Sequence, residues 1–171
     1  MSNGQAGIKW RFLIVEDKED KVRQLQEIAP ACVVAPDEVE VEVCSTFNKA
    51  TARLRTERFD LLILDLKDDS DTTLEGDSNP AGLAIFEELK KTRFVPVVFY
   101  TALAHKVRSE QTSFVRVVEK TEDVTRVKEE VLRIFATKLP TLTSSLSDLE
   151  NTTLTNVVQS IFIFREGVLM V

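Results

Sequence analysis

"LLILDL", Leu61–Leu66, is four apolar residues, an aspartate and a leucine. A short, uninterrupted apolar run reads as a strand buried on both faces, which is typical of a parallel sheet. Aspartate is a poor strand residue, so Asp65 marks the strand's carboxyl end. The same pattern recurs on either side of it. "WRFLIV", Trp10–Val15, stops at Glu16 and Asp17. "VEVEV", Val39–Val43, alternates strictly, as a half-exposed strand does. "FVPVVFYTA" carries Pro96 near its start, where a missing N–H is tolerable, and ends at Thr101 and Ala102. "FVRVVEK" ends at Lys120.

Helical spacing fills the intervals. "KEDKVRQLQEIAP" places Val22, Leu25 and Ile28 on one face, and Pro30 marks its end. "NKATARLRTER" turns Ala50, Leu54 and Ala52 inward. "PAGLAIFEELKK" puts Leu83, Phe86 and Leu89 on one side. "HKVRSEQTS" reads as a short, weakly amphipathic helix. "TEDVTRVKEEVLRIFATKL" is strongly amphipathic, with Val124, Val127, Val131, Ile134 and Phe135 sharing a face. Five strands thus alternate with five helices up to about Leu139. That order implies an α/β fold with helices on both faces of a sheet. Right-handed crossovers make the strands parallel and put their carboxyl ends on one edge.

Size and composition agree with this. The chain has 171 residues, enough for one domain with an appendage. It is 43% hydrophobic and 29% charged, an ordinary globular balance. A formal net charge of −6 argues against general attraction to nucleic acid or to an anionic membrane. Cys32 and Cys44 match no metal or redox spacing and read as small buried residues. "MSNGQAGIKW" lacks the apolar centre of a signal peptide, and no apolar stretch is long enough to span a membrane. The expected location is cytoplasmic. Residues 1–9 are expected to be a flexible terminus, 10–139 the domain, and 140–171 an extension.

The residues delivered to the shared edge carry the chemistry. Ligands of open α/β sheets bind outside the carboxyl ends of the strands. There the sequence brings Glu16, Asp17, Asp65, Thr101 and Lys120 together. Magnesium takes a few carboxylates and bridges to phosphate oxygens. A carboxylate can act as nucleophile toward phosphorus. A lysine and a hydroxyl then neutralise and hydrogen-bond the transferred group. Each residue alone reads better as a solvated strand end or helix cap. Four strands ending in matched groups point to a magnesium-dependent phosphoryl site.

"LIVED", "DLLILDL", "VVFYTA" and "VVEK", in this order, resemble the receiver domain of two-component response regulators over roughly Arg11 to Lys138. The resemblance implies a flavodoxin-like, doubly wound five-stranded parallel sheet. It implies that Asp65 is the phosphoacceptor and that Asp17 ligates Mg2+ directly, with Glu16 as its outer acidic neighbour. The backbone carbonyl of Lys67 is implied as a further ligand. Thr101, with Ala102 beside it, matches the switch hydroxyl, and Lys120 the family's lysine. The implied donor is a phosphohistidine on a histidine kinase or phosphotransfer protein. The chain would be a signalling phosphoacceptor, not an enzyme.

Three departures accompany the resemblance. Val117 stands where the family usually has an aromatic that swings inward. Thr121 stands where it has a proline after a cis bond, so this loop is expected to be trans and rebuilt. The glycine that opens the third helix matches Gly82, seventeen residues after Asp65 and roughly twice the usual span. The interval holds Asp68, Asp69, Asp71, Glu75 and Asp77. It reads as a mobile insertion or as a lid that adjusts metal affinity or kinase docking.

His105, the only histidine, is expected to be exposed or to cap a helix. Beyond Lys138, Pro140 and a Ser/Thr-rich stretch read as a linker. "SDLE", Ser147–Glu150, fits a capping box ahead of Leu154, Val157, Val158, Ile161 and Phe162, and Gly167 ends the pattern. That helix would pack on the domain or serve a homodimer or partner; its one cation, Arg165, gives no reason to expect nucleic acid. Two other readings stand beside the phosphoacceptor. One is a receiver-like interaction module that no longer uses phosphate. The other is a magnesium-dependent phosphohydrolase or nuclease, opposed by Lys67 where a second acid would be needed.

Overall fold

The computed structural model describes residues 7–67 and 80–137. The acidic interval Asp68–Asn79 and the extension expected at 140–171 lie outside the described residues. Within them, β1 (Lys9–Val15), β2 (Glu38–Cys44), β3 (Leu61–Leu64), β4 (Val97–Thr101) and β5 (Val115–Glu119) form one sheet. The order is β2-β1-β3-β4-β5, and every pairing is parallel. The α-helices are α1 (Glu19–Ile28), α2 (Phe47–Thr56), α3 (Ala81–Thr92) and α4 (Thr125–Ala136). This is the expected doubly wound α/β fold. Among the described residues no helix is long and apolar enough to cross a membrane.

Register explains why the central strands are apolar throughout. Phe12 pairs with Leu61 and Val15 with Leu64, while Leu64 pairs with Phe99. Alternate side chains therefore line up across the sheet. Leu13, Val15, Leu62, Leu64, Val97 and Phe99 pack under α2 and α3 with Ala50, Leu54, Ile85, Phe86 and Leu89. Trp10, Phe12, Ile14, Leu61, Ile63, Val98 and Tyr100 pack with Leu25 of α1 and with Val127, Val131 and Ile134 of α4. Cys32 and Cys44 are buried free thiols, and burial pushes Cys32 up to about 11.

The edge strand β2 has a different solution on each face. Val39 and Val41 pack against the α1/α4 side. Its glutamates are met by cations instead. Lys9 lies 3.0 Å from Glu40, and Arg11 and Arg53 both bond Glu42. The same two arginines reach Glu57 at 2.8 and 2.9 Å.

Several local expectations change. β1 begins at Lys9, one residue before the expected start of the domain, and Ile8 N–H donates to Asp37 Oδ1 at 2.9 Å. Pro30 opens a 3-10 turn, Ala29–Cys32, that prolongs α1. Ala52 is exposed; only Ala50 and Leu54, four apart, share the inward face. "HKVRSEQTS" forms no α-helix. Two 3-10 turns, Ala104–Lys106 and Arg108–Glu110, take its place. Val107 is the one fully buried anchor between them, too little apolar surface to hold a helical face.

α3 enters directly over the end of β3. Gly82 N–H donates to the Leu66 carbonyl at 3.2 Å. A Cβ on Gly82 would stand 2.2 Å from the Asp65 carbonyl oxygen and 2.8 Å from Leu66 Cα. Both neighbours are backbone, so neither yields easily. Positions 66 and 82 therefore meet in space, which lets the sequence between them lengthen without altering the sheet. Gly82→Ala is expected to cost about 2 kcal/mol through overpacking, read as a lower midpoint in thermal or urea unfolding.

Candidate functional site

The site is assembled by strand ends. Asp65 N–H donates to the Val15 carbonyl at 3.0 Å, and Glu16 N–H to the Cys44 carbonyl at 3.1 Å. Lys120 N–H donates to the Thr101 carbonyl at 3.1 Å. These bonds carry the sheet ladders one step past the strands and fix the residues that follow. Glu16, Asp65 and Thr101 are all buried. One carboxylate oxygen from each of Glu16, Asp17 and Asp65 lies within 4.8 Å of the others.

Lys120 is the counterion of this cluster. Its Nζ is 2.6 Å from Asp65 Oδ2 and 2.8 Å from Glu16 Oε2. Asp65 Oδ1 accepts from Leu66 N–H at 2.7 Å, and Glu16 Oε1 from Lys18 N–H at 3.2 Å. Burial raises Glu16 above the ordinary carboxylate value, against the lowering effect of Lys120 and with a further push from Asp65. Burial by itself would lower Lys120, but its bonds to Asp65 and Glu16 outweigh that and raise it. One ammonium thus bonds two of the three carboxylates. This set of hard oxygen donors fits a divalent cation of the magnesium class.

Thr101 stands beside this cluster with its hydroxyl oxygen accepting from Leu103 N–H at 3.1 Å. The hydroxyl proton remains available to another acceptor. Ala102 is exposed. Lys67 lines a small cavity with Glu16, Asp17 and Asp65, its side chain exposed. The far wall of that cavity is Ser45, Thr46 and Phe47. Sequence reading missed these three, although the edge rule applied to β2 points to Ser45 and Thr46. Ser45 also lines an open groove of about 320 Å³ with Asp17, Glu19, Val22 and Arg23. His105 is exposed on the 3-10 turn Ala104–Lys106. Val117 is half-buried against the α2/α3-side core with Leu103. The cis peptide bond among the described residues is Ala35–Pro36, so the bond before Thr121 is trans.

Solved structures share this arrangement of strands and helices. The receiver domain of a LuxO repressor protein from Vibrio parahaemolyticus superposes with a TM-score of 0.57 at 20% identity, covering 80% of this chain and 98% of that one. The chain has the receiver-domain fold. The receiver domain of the Francisella response regulator 1452 gives a TM-score of 0.55 at 12% identity, covering 75% and 98%. The response regulator TrrA from Thermotoga maritima, solved with Mg2+ and BeF, gives 0.51 at 24% identity, covering 73% and 98%. No protein-family model matches the sequence, and no curated protein matches it. The receiver fold is thus carried here by a divergent sequence.

Lys120→Met removes the cation bonded to the buried carboxylates of Glu16 and Asp65. It is expected to destabilise the fold by roughly 3 kcal/mol near neutral pH. Without the ammonium, its lowering effect on Glu16 is lost, and the folded-state pKa of Glu16 rises further above the unfolded one. Acid then favours the folded variant, because the folded state binds the proton more readily. The gap from wild type should therefore shrink as pH falls and Glu16 of the variant takes up its proton. Unfolding midpoints measured across pH check both the size and the sign.

Proposed function

We propose that the chain is a phosphoryl-accepting receiver of a two-component-type system, with Asp65 as acceptor. The observation that carries this is the ammonium of Lys120 held between Asp65 and Glu16, inside a three-carboxylate cluster at the strand edge. Asp17, Asp65 and the Lys67 carbonyl would hold Mg2+, with Glu16 in its outer sphere. Bound there, magnesium would draw charge from the phosphoryl oxygens.

The chain's own residues do the rest. A carboxylate oxygen of Asp65 forms the new bond to phosphorus as the bond to the donor's leaving atom breaks. The electron pair of that bond departs with the leaving group. Lys120 already sits against Asp65, so it meets the incoming negative oxygens without reorganisation. Thr101 donates its hydroxyl proton to a phosphoryl oxygen. The α3 entry over Asp65, fixed by Gly82, keeps the acceptor's backbone in place.

The donor in this reading is a histidine kinase or phosphotransfer protein, and the result is an altered binding surface for a protein partner or a second copy. The protein acts in the cytoplasm as a switch rather than as an enzyme with turnover. A phosphate-independent interaction module is the second reading. It is favoured by Val117 in place of an aromatic and by the two 3-10 turns in place of the fourth helix. A phosphohydrolase or nuclease is disfavoured, because Lys67 occupies the place of the second acid such sites need.

Incubation with magnesium and a small acyl phosphate should add one phosphoryl group by intact mass. The adduct should be absent in Asp65→Asn and when magnesium is chelated. An unmodified wild type across donors, with magnesium bound, leaves the interaction module as the better reading.

A further inference from the structure

The residue before Thr101 has no part in the site described so far. Tyr100 is the only tyrosine of the chain. It is 1% exposed and packs on the α1/α4 side of the sheet. Its hydroxyl is buried and has no hydrogen-bond partner among the described residues. A buried phenol oxygen in this condition is less favourable than the bare ring of phenylalanine. The hydroxyl therefore adds nothing to the packing, and the side chain's contribution here is its ring.

The ring, however, has a cationic neighbour. Lys120 Nζ lies 5.9 Å from the ring centroid, at the outer limit of a cation–π contact. The same ammonium bonds Asp65 and Glu16. Three groups thus define its place: two carboxylates and one aromatic face. Val117 lies on the opposite face of the sheet, paired with Phe99 and packed against the α2/α3 side. Tyr100 pairs with Val118 and shares its cluster with Val127, Val131 and Ile134 of α4.

We infer that Tyr100 is a positioning residue for Lys120, its ring holding the ammonium against Asp65 and passing any displacement of that ammonium to α4. Whatever draws Lys120 toward a new partner changes what lies over the ring. That change is felt by the side chains packed on the same face, and α4 supplies three of them. The inference deepens the phosphoacceptor reading and rests on it only where phosphorylation is the readout.

The test uses the full chain in two arms. In the first, 3-fluorotyrosine incorporation gives a single fluorine resonance, since only Tyr100 carries the label. Lys120→Met, or Lys120→Gln if the first does not fold, should shift that resonance. Lys128→Met should leave it in place. Magnesium should shift it in the wild type and not in the Lys120 variant. In the second arm, Tyr100→Phe should fold at least as well as wild type and be phosphorylated at an unchanged rate. Tyr100→Leu should be slower by about threefold, the order expected for losing a weak cation–π contact. Val98→Ala, a cavity variant in the same buried cluster, should lose stability and keep its rate.

A resonance indifferent to Lys120 overturns the inference. So does a Tyr100→Leu rate equal to that of Tyr100→Phe, or a Val98→Ala rate that falls as far as that of Tyr100→Leu. If the wild type takes no phosphate, the phosphoacceptor reading falls, and the fluorine arm alone decides the role of Tyr100.

Discussion

The ammonium of Lys120 is the interaction on which the site depends. It comes from the end of β5 and lies 2.6 Å from one buried carboxylate and 2.8 Å from another. Without it, Glu16 and Asp65 would share a buried edge only at a large cost in stability near neutral pH. The contact joins residues more than a hundred positions apart, so it forms only when β1, β3 and β5 are in place. Charge balance at the edge and closure of the sheet are one requirement. Three carboxylates clustered at this edge are hard oxygen donors of the kind a divalent cation takes.

Everything beneath that edge serves to hold it. The central strands are apolar on both faces because helices cover both faces, and the register sets which polar residue emerges at which height. Gly82 lets α3 lie against the Asp65 carbonyl, where any side chain would collide with backbone. Ion pairs around Glu42 and Glu57 keep the acidic face of β2 neutralised away from the site. The triad of Arg116, Glu130 and Arg133 ties the other edge strand to α4.

Much of this could be read from residues. "LLILDL" announces a doubly buried strand with an acid at its end, and the repetition at Glu16, Thr101 and Lys120 announces the edge. That signal is strong in β3, where burial on two faces allows no polar residue until the strand is over, and weaker in β5, which is half-buried and carries Arg116. The short helix expected over "HKVRSEQTS" is a weaker signal, since only Val107 anchors it and local 3-10 turns satisfy the same backbone. Ala52 is apolar, but its position two residues from Ala50 puts it on the solvent side. Ser45, Thr46 and Phe47 were hidden because they follow an edge strand whose alternation drew the eye to its faces, not to its end. The role inferred for Tyr100 was illegible for a different reason. In sequence it is one more aromatic in an apolar run, and only the fold brings Lys120 over its ring.

We propose that this edge is a divalent-cation site completed by Lys120 and centred on Asp65. The most direct measurement is a crystal structure grown with manganese, with the ion located by its anomalous scattering. The account predicts manganese bound by carboxylate oxygens of Asp17 and Asp65 and by the Lys67 carbonyl, with Lys120 still against Asp65. Manganese absent from the cluster, or bound with Asp65 uninvolved, would contradict it.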